Sequence, residues 1–196
     1  MATAHQILKQ GFLRDMKSPQ QWLTLSDGSI LTRQEQYVLR QVAAGEIADL
    51  KKAFGEAEAD RRLRGRFLEE LLSGELPGIK ISPQGIVINN AIVEGPINLP
   101  GVEINFPIEL NDCIFREPVE FRDARFANNL SLAGSHFLQR ADFDRIKVAV
   151  NLFCMKAVFF DVANFGGAGI ARQLSAIGAK FLCEDHRANF NHLVGG

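Results

Sequence analysis

The sequence predicts a mainly β protein: a parallel, quadrilateral β-helix of about 22 residues per coil, with an N-terminal α-helical cap. Three observations predict it. From residue 86 to residue 181 an apolar–x–apolar triplet recurs, alternately five and six residues apart, so the pattern closes every eleven. A fixed short period of this kind marks a solenoid. Side-chain size closes only after 22: positions 93, 115, 137, 159 and 181 are Val followed by four Phe, with the small partners Ala91, Cys113, Ser135, Ala157 and Ala179 two residues earlier. Residues 1–78, by contrast, carry helix signals and no triplets.

The N-terminal elements follow from local chemistry. Residues 1–31 read as irregular, with a short helix near Gln6–Leu13. Thr32-Arg-Gln-Glu35 is a capping box ahead of an apolar periodic run. Helices are expected over 33–44, 46–54 and 56–73, broken at Gly45, Gly55 and Gly74. In the last of these, Leu63, Phe67, Leu68, Leu71 and Leu72 form an apolar face. Pro77–Gly78 closes this segment, so the expected division is 1–78 for the helical cap and 79–196 for the repeat.

Each triplet is a very short strand with two inward side chains and one outward. Eleven residues supply two strands, and two opposed strands enclose no core. Three faces would need 16 or 17 residues and break the alternation of steps, whereas four faces restore it at 22. Large-beside-small pairs fill such a layer without overpacking. At the usual strand spacing of roughly 4.8 Å, four coils make a rod about 20 Å long. Beyond Phe181 the register breaks, because continuation would put Asp185 and Arg187 inside. Ala188-Asn-Phe190 revives the motif out of phase, and no capping helix follows it. Two readings of that end stay open: a fragment of a longer repeat protein, or an end covered by a partner.

Ala124-Arg-Phe126, Ala141-Asp-Phe143, Ala163-Asn-Phe165 and Ala188-Asn-Phe190 resemble the A-(D/N)-L-x-x unit of the pentapeptide-repeat family. The resemblance covers about half the chain and implies a right-handed sense for the β-helix. The regular six-residue step departs from the family pattern, as do the many Ile, Val and Leu at first positions. The join from Arg64-Gly-Arg-Phe67 through Ala91-Ile-Val-Glu-Gly-Pro-Ile-Asn-Leu99 resembles a set of uncharacterised bacterial members, some of which carry the label "membrane-associated oxidoreductase". No cofactor motif here supports that label.

Composition narrows the function classes. Net charge is −1, with 22 Lys/Arg against 23 Asp/Glu, so neither a basic nucleic-acid surface nor a strongly acidic DNA-like surface is expected. The start MATAHQILKQGF has no basic-then-apolar leader, no stretch reaches 18 apolar residues, and the three cysteines are odd in number and far apart. A cytoplasmic protein without disulfides is expected. No phosphate loop, dinucleotide fingerprint or nucleophile elbow occurs, and no cofactor or metal is expected.

Candidate sites lie on the surface. Ile92, Ile114, His136, Val158 and Lys180 are the outward residues of one face, and the next corner carries Glu94, Arg116, Leu138, Phe160 and Leu182. Phe153 is an outward aromatic on another face. Stacked outward apolar residues mark a contact surface. The candidate interaction surface is therefore Ile92, Ile114, His136, Leu138, Val158, Phe160 and Leu182, with Phe190 at the C-terminal end. Three coverings stay open: the N-terminal helices, a protein partner or second copy, and, least favoured, a membrane surface.

Other clusters have bland readings. Cys183, Asp185, His186 and His192 lack a convincing set of four zinc ligands. Asp142 and Asp144 flank Phe143 with Glu120 one coil away, yet a convex face offers no pocket for acid–base work. Arg61, Arg62, Arg64 and Arg66 stand among Glu56, Glu58, Asp60, Glu69 and Glu70, which favours pairing within a helix over phosphate binding. The expectation is a non-enzymatic structural or protein-interaction module. Its partner is a protein or a second copy, and a homodimer through the C-terminal end is left open. The alternatives are a DNA-mimic that binds a topoisomerase, as the family resemblance implies, and the inherited oxidoreductase label.

Overall fold

The computed structural model describes residues 24–183 and 188–195; the helix expected near Gln6–Leu13, and Asp185, His186 and Arg187, lie outside the described residues. Helix α1 is Arg33–Ala44. Thr32 caps it by accepting the Glu35 N–H, while the Glu35 carboxylate accepts the Thr32 N–H, and Gly45 ends it in the left-handed region.

The next two expected helices are each interrupted by a strand. Strand β1, Ala48–Asp49, precedes a short helix α2, Leu50–Phe54, whose first turn is capped by the Asp49 side chain. A 3-10 turn at Glu58–Arg61 and strand β2, Arg62–Arg64, precede helix α3, Gly65–Ser73. The physical reason lies in the solenoid. The first coil would otherwise present unpaired strand edges, so β1 pairs in parallel with Ile88–Asn89 and β2 with Ile92–Glu94. Those pairings outweigh the helical pattern. Gly65 starts α3 where a Cβ would meet the Pro96 and Gly95 carbonyl oxygens at 2.2 and 2.4 Å, so only glycine allows α3 to sit this close. The N-terminal part thus closes one end of the rod with two strands and helices.

From residue 86 the chain winds through four parallel sheets, one per face. The first face stacks Ile86–Asn89, Ile108–Asn111, Leu130–Ser131, Asn151–Phe153 and Gln173–Ser175. The second stacks Ile92–Glu94, Ile114–Phe115, His136–Phe137, Val158–Phe159 and Lys180–Phe181. The third and fourth begin at Ile97–Asn98 and Glu103–Ile104. Partners such as Ile114↔His136 and Arg125↔Lys147 stand 22 residues apart, so the coil length expected from the sequence is the observed one.

The alternation of five and six has a structural cause. Where the step is five, the corner is a tight turn holding one left-handed residue. Asn90, Asp112, Gly134, Lys156 and Gly178 form one such column, and Gly101, Asp123, Arg145 and Gly167 another. The six-residue steps serve the two corners between, which carry no such column.

The interior is solid. Phe115, Phe137, Phe159 and Phe181 stack face to face at centroid spacings of 4.7, 4.8 and 5.0 Å. A second column, Phe121, Phe143, Phe165 and Phe190, runs beside it. The two meet edge to face at Phe137–Phe143, Phe159–Phe165 and Phe181–Phe190. One cluster of buried apolar residues continues from Leu25 and α1 through the coils to Ile170.

The last coil is three residues longer. Asn164 bridges Asn189 and Gly169 pairs with Val194, each 25 apart. Phe190 takes the place in the second column that a strict 22 would give to Arg187. The out-of-phase motif is therefore an insertion that preserves the aromatic stack.

Candidate interaction face

The second face divides into a covered half and an uncovered half. In the first coil Ile92 is fully buried, so the structure removes it from any free surface. The Glu58–Arg61 turn contacts its strand, and Glu58 reaches one coil further to pair with Arg116 at 2.6 Å. Arg116 also pairs with Glu94 at 3.1 Å, and Arg62 with Glu94 at 3.2 Å. Ile114 is half-buried at the border.

From the third coil onward no described residue covers this face. Leu138, Phe160 and Leu182 stack at one corner and are 41%, 44% and 49% exposed. His136 and Val158 lie half-buried beside them, with the His136 ring edge-on to Phe160 at 6.0 Å. The opposite corner adds Met155, 37% exposed, and Ile177, 76% exposed. These two were missed at the sequence level because they fall between triplets, where turn residues are expected to be polar. The 22-residue spacing of Ala133, Met155 and Ile177 was the available signal. Phe190 differs from the others: it belongs to the inner aromatic column and is exposed only because it ends it.

The third face is polar and closed on itself. Asp142 is fully buried although it points outward. Its carboxylate accepts from Arg122 at 3.0 Å, Arg140 at 2.7 Å, the Asp144 N–H at 3.0 Å and Asn164 Nδ2 at 3.1 Å. Burial pushes its pKa up, but these donors outweigh burial and hold it below the ordinary carboxylate value. Asp144 pairs with Arg145, which also binds Asp123 bidentately at 2.7 and 2.8 Å. The carboxylates weighed as an acid–base pair are thus engaged with arginines.

The arginine run is engaged too, along one helix for Arg66 with Glu70 and across elements for Arg62 and Arg64. Arg64 grips the buried Glu35 at 2.6 and 2.8 Å and donates to Ser29 and Ile30. Arg66 meets Glu70, which also accepts from Ser26, and Arg61 donates to the Asn90 and Glu56 carbonyls. Cys113 and Cys154 are buried, and burial raises both thiols to about 12. Cys183 is half-buried near Asp161, and His192 occupies an exposed tight turn. Among the described residues no group of three or more His, Cys, Asp and Glu is set to hold a metal ion.

On the fourth face a shallow groove of about 640 Å³ runs beside the Glu103–Arg125 ion pair and Lys147. Ala127, Ala149 and Ala171 line it. Of its polar side chains, Glu103 and Arg125 pair with each other and Lys147 donates to the Gly167 carbonyl.

Residues 101–147 match the family model for pentapeptide repeats, in nine copies. No curated protein and no solved structure matches the chain.

Proposed function

We propose that this pentapeptide-repeat protein is a non-enzymatic interaction module, a rigid rod that holds one flat apolar face toward a protein partner. The observation that carries this reading is the uncovered half of the second face. Leu138, Phe160 and Leu182 stay in register over three coils, while the first two coils of the same face are closed by the chain's own residues. A contiguous apolar patch on an otherwise charged rod is a contact surface. His136 and Val158 complete it, and Ile114 borders it. Residues 1–78 serve as the cap and 79–196 as the rod.

The rest of the surface favours binding over chemistry. Asp142, Asp123 and Glu35 are held by arginine partners, and stacked phenylalanines fill the interior of the described coils. A DNA-mimic role is disfavoured by a net charge of −1, and the oxidoreductase label by the lack of any cofactor motif. No helix among the described residues is long and apolar enough to cross a membrane, and the free buried cysteines favour a reducing cytoplasm.

Affinity capture with wild-type bait and with Leu138→Asp/Phe160→Asp bait tests the reading. Proteins held by the first and released by the second are expected. Identical captured sets would overturn it, as would substrate turnover abolished by changing one polar residue. Self-association through the C-terminal end is a second reading, favoured by the exposed edges of Phe181 and Phe190. Light scattering of the wild-type protein and Phe190→Asp decides it.

A further inference from the structure

We infer that the uncovered half of the second face takes an amphipathic helix of a partner protein, laid along the rod with its carboxylates toward Lys156 and Lys180. This rests on the reading of that face as a docking surface and adds what docks there.

The first argument is a precedent within the chain. On the first two coils of the same face, a helical turn at Glu58–Arg61 lies against the strand of the buried Ile92, and Glu58 pairs with the corner cation Arg116. The same face continues beyond that turn with apolar residues and cations, and with nothing over them among the described residues. The uncovered coils continue the outward apolar column, with their cations on the face itself at Lys180 and at the opposite corner at Lys156.

The second argument is charge. Lys180 projects from the face itself, and Lys156 stands at its corner, one coil nearer the N-terminus. Both are exposed, and neither has an ion-pair partner among the described residues. By contrast, Arg62 and Arg116 on the covered half of this face are paired, as are Arg122, Arg140 and Arg145; Lys147 and Arg172, also without an ion pair among the described residues, lie away from the apolar column. Asp161, the nearby acid, accepts the Val162 N–H. A ligand with acidic flanks completes the lysines; a basic one would be repelled.

The third argument is size. The outer rungs of the patch, His136–Leu138 and Lys180–Leu182, are two coil spacings apart, about 10 Å. The patch is one face wide. An α-helix about 10–12 Å across, with a rise of about 5.4 Å per turn, covers such a field in two to three turns. A stable dimer needs about 800 Å² from each partner. A second copy docked here would also crowd four unpaired lysines around one small field.

Two fluorescein-labelled synthetic helices with the same Leu stripe, one flanked by Glu and one by Lys, provide the probe. Their binding to the full-length protein is read by anisotropy. The Glu peptide is expected to bind at least about tenfold more tightly than the Lys peptide. Phe160→Asp, and separately Leu182→Asp, should weaken it at least about tenfold. Lys156→Glu/Lys180→Glu should reverse the preference. All three replace exposed or half-exposed side chains, and circular dichroism of each variant confirms the fold. Absence of binding, equal binding of both peptides, or indifference to Phe160→Asp overturns the inference. A dimer that Phe160→Asp dissociates overturns it in favour of a second copy. If the peptides fail while the capture difference persists, the docking face stands and the helical occupant falls. If both fail, the face itself was misread.

Discussion

Phe137→Ala tests the physical core of the rod. Phe137 is buried, with Phe115 stacked on one side at 4.7 Å and Phe159 on the other at 4.8 Å. Phe143 meets its edge at 6.0 Å. Truncating a buried Phe costs about 3–5 kcal/mol from lost transfer energy and the cavity left behind. Each aromatic pair adds on the order of 0.5–1.5 kcal/mol beyond area. Neighbouring coils are held apart by backbone ladders, so the cavity cannot collapse along the rod. The expected cost is therefore at the upper end, about 4–5 kcal/mol. Phe181→Ala provides the internal comparison. Phe181 has one stacked partner, Phe159, and one edge partner, Phe190, and is 36% exposed. Its loss should cost about 2 kcal/mol. Urea unfolding followed by circular dichroism measures both, with the m-value checked for constancy. Equal costs at the middle and the end of the column would refute the argument, because the predicted difference comes from the missing stacked neighbour and the partial exposure of Phe181.

Three other outcomes follow from the same structure. Cys113 and Cys154, with thiols raised to about 12, should stay unreactive toward a disulfide reagent at pH 8 until the chain unfolds, whereas Cys183 reacts in the native protein; three equally fast thiols would contradict this. Asp142 has a folded pKa below its ordinary value, so it contributes stability above about pH 4 that is lost as pH falls through the folded value; Asp142→Asn should flatten the acid limb of a stability–pH curve measured in urea, and an unchanged limb would show that the carboxylate is not the source. Glu35→Ala removes the partner of the partly exposed Arg64 and should cost about 2–3 kcal/mol, the lower part of the range for breaking a buried pair and below it, read as a shift in the urea midpoint at constant m.

The coil was legible in the sequence because its core is periodic. Spacing fixes which side chains point inward, and the 22-residue recurrence of Phe and small partners fixes four faces. The Leu138, Phe160 and Leu182 column was visible for the same reason. What escaped were features fixed by contacts distant in sequence. Ala48–Asp49 and Arg62–Arg64 carry no strand pattern of their own; they are strands because the first coil leaves edges to be paired. Ile92 looked like its successors, yet the Glu58–Arg61 turn lies against its strand. Phe121, Phe143 and Phe165 keep the strict period, and the three-residue insertion before Ala188 hid only that Phe190 ends their column.

Among the described residues the rod presents its outward columns to solvent, and those columns differ in how far they are already satisfied. The third face spends its polar groups on one another: Asp142 alone collects four donors from two arginines, an asparagine and a backbone N–H. A ligand arriving there would have to displace bonds of equal quality. The fourth face carries the Glu103–Arg125 pair and an alanine-lined corner that gives a ligand little to hold. On the second face the apolar column has no such internal solution, because leucine and phenylalanine can be relieved of water only by another surface. Among the described residues the chain supplies that surface over the first two coils and not over the next three. The step from covered to uncovered falls between Arg116 and Leu138 on one corner column. Charge reversal at Lys156 and Lys180, with Phe160 left in place, then separates the two forces at work: it should change which flank a helix prefers and leave the apolar contribution intact.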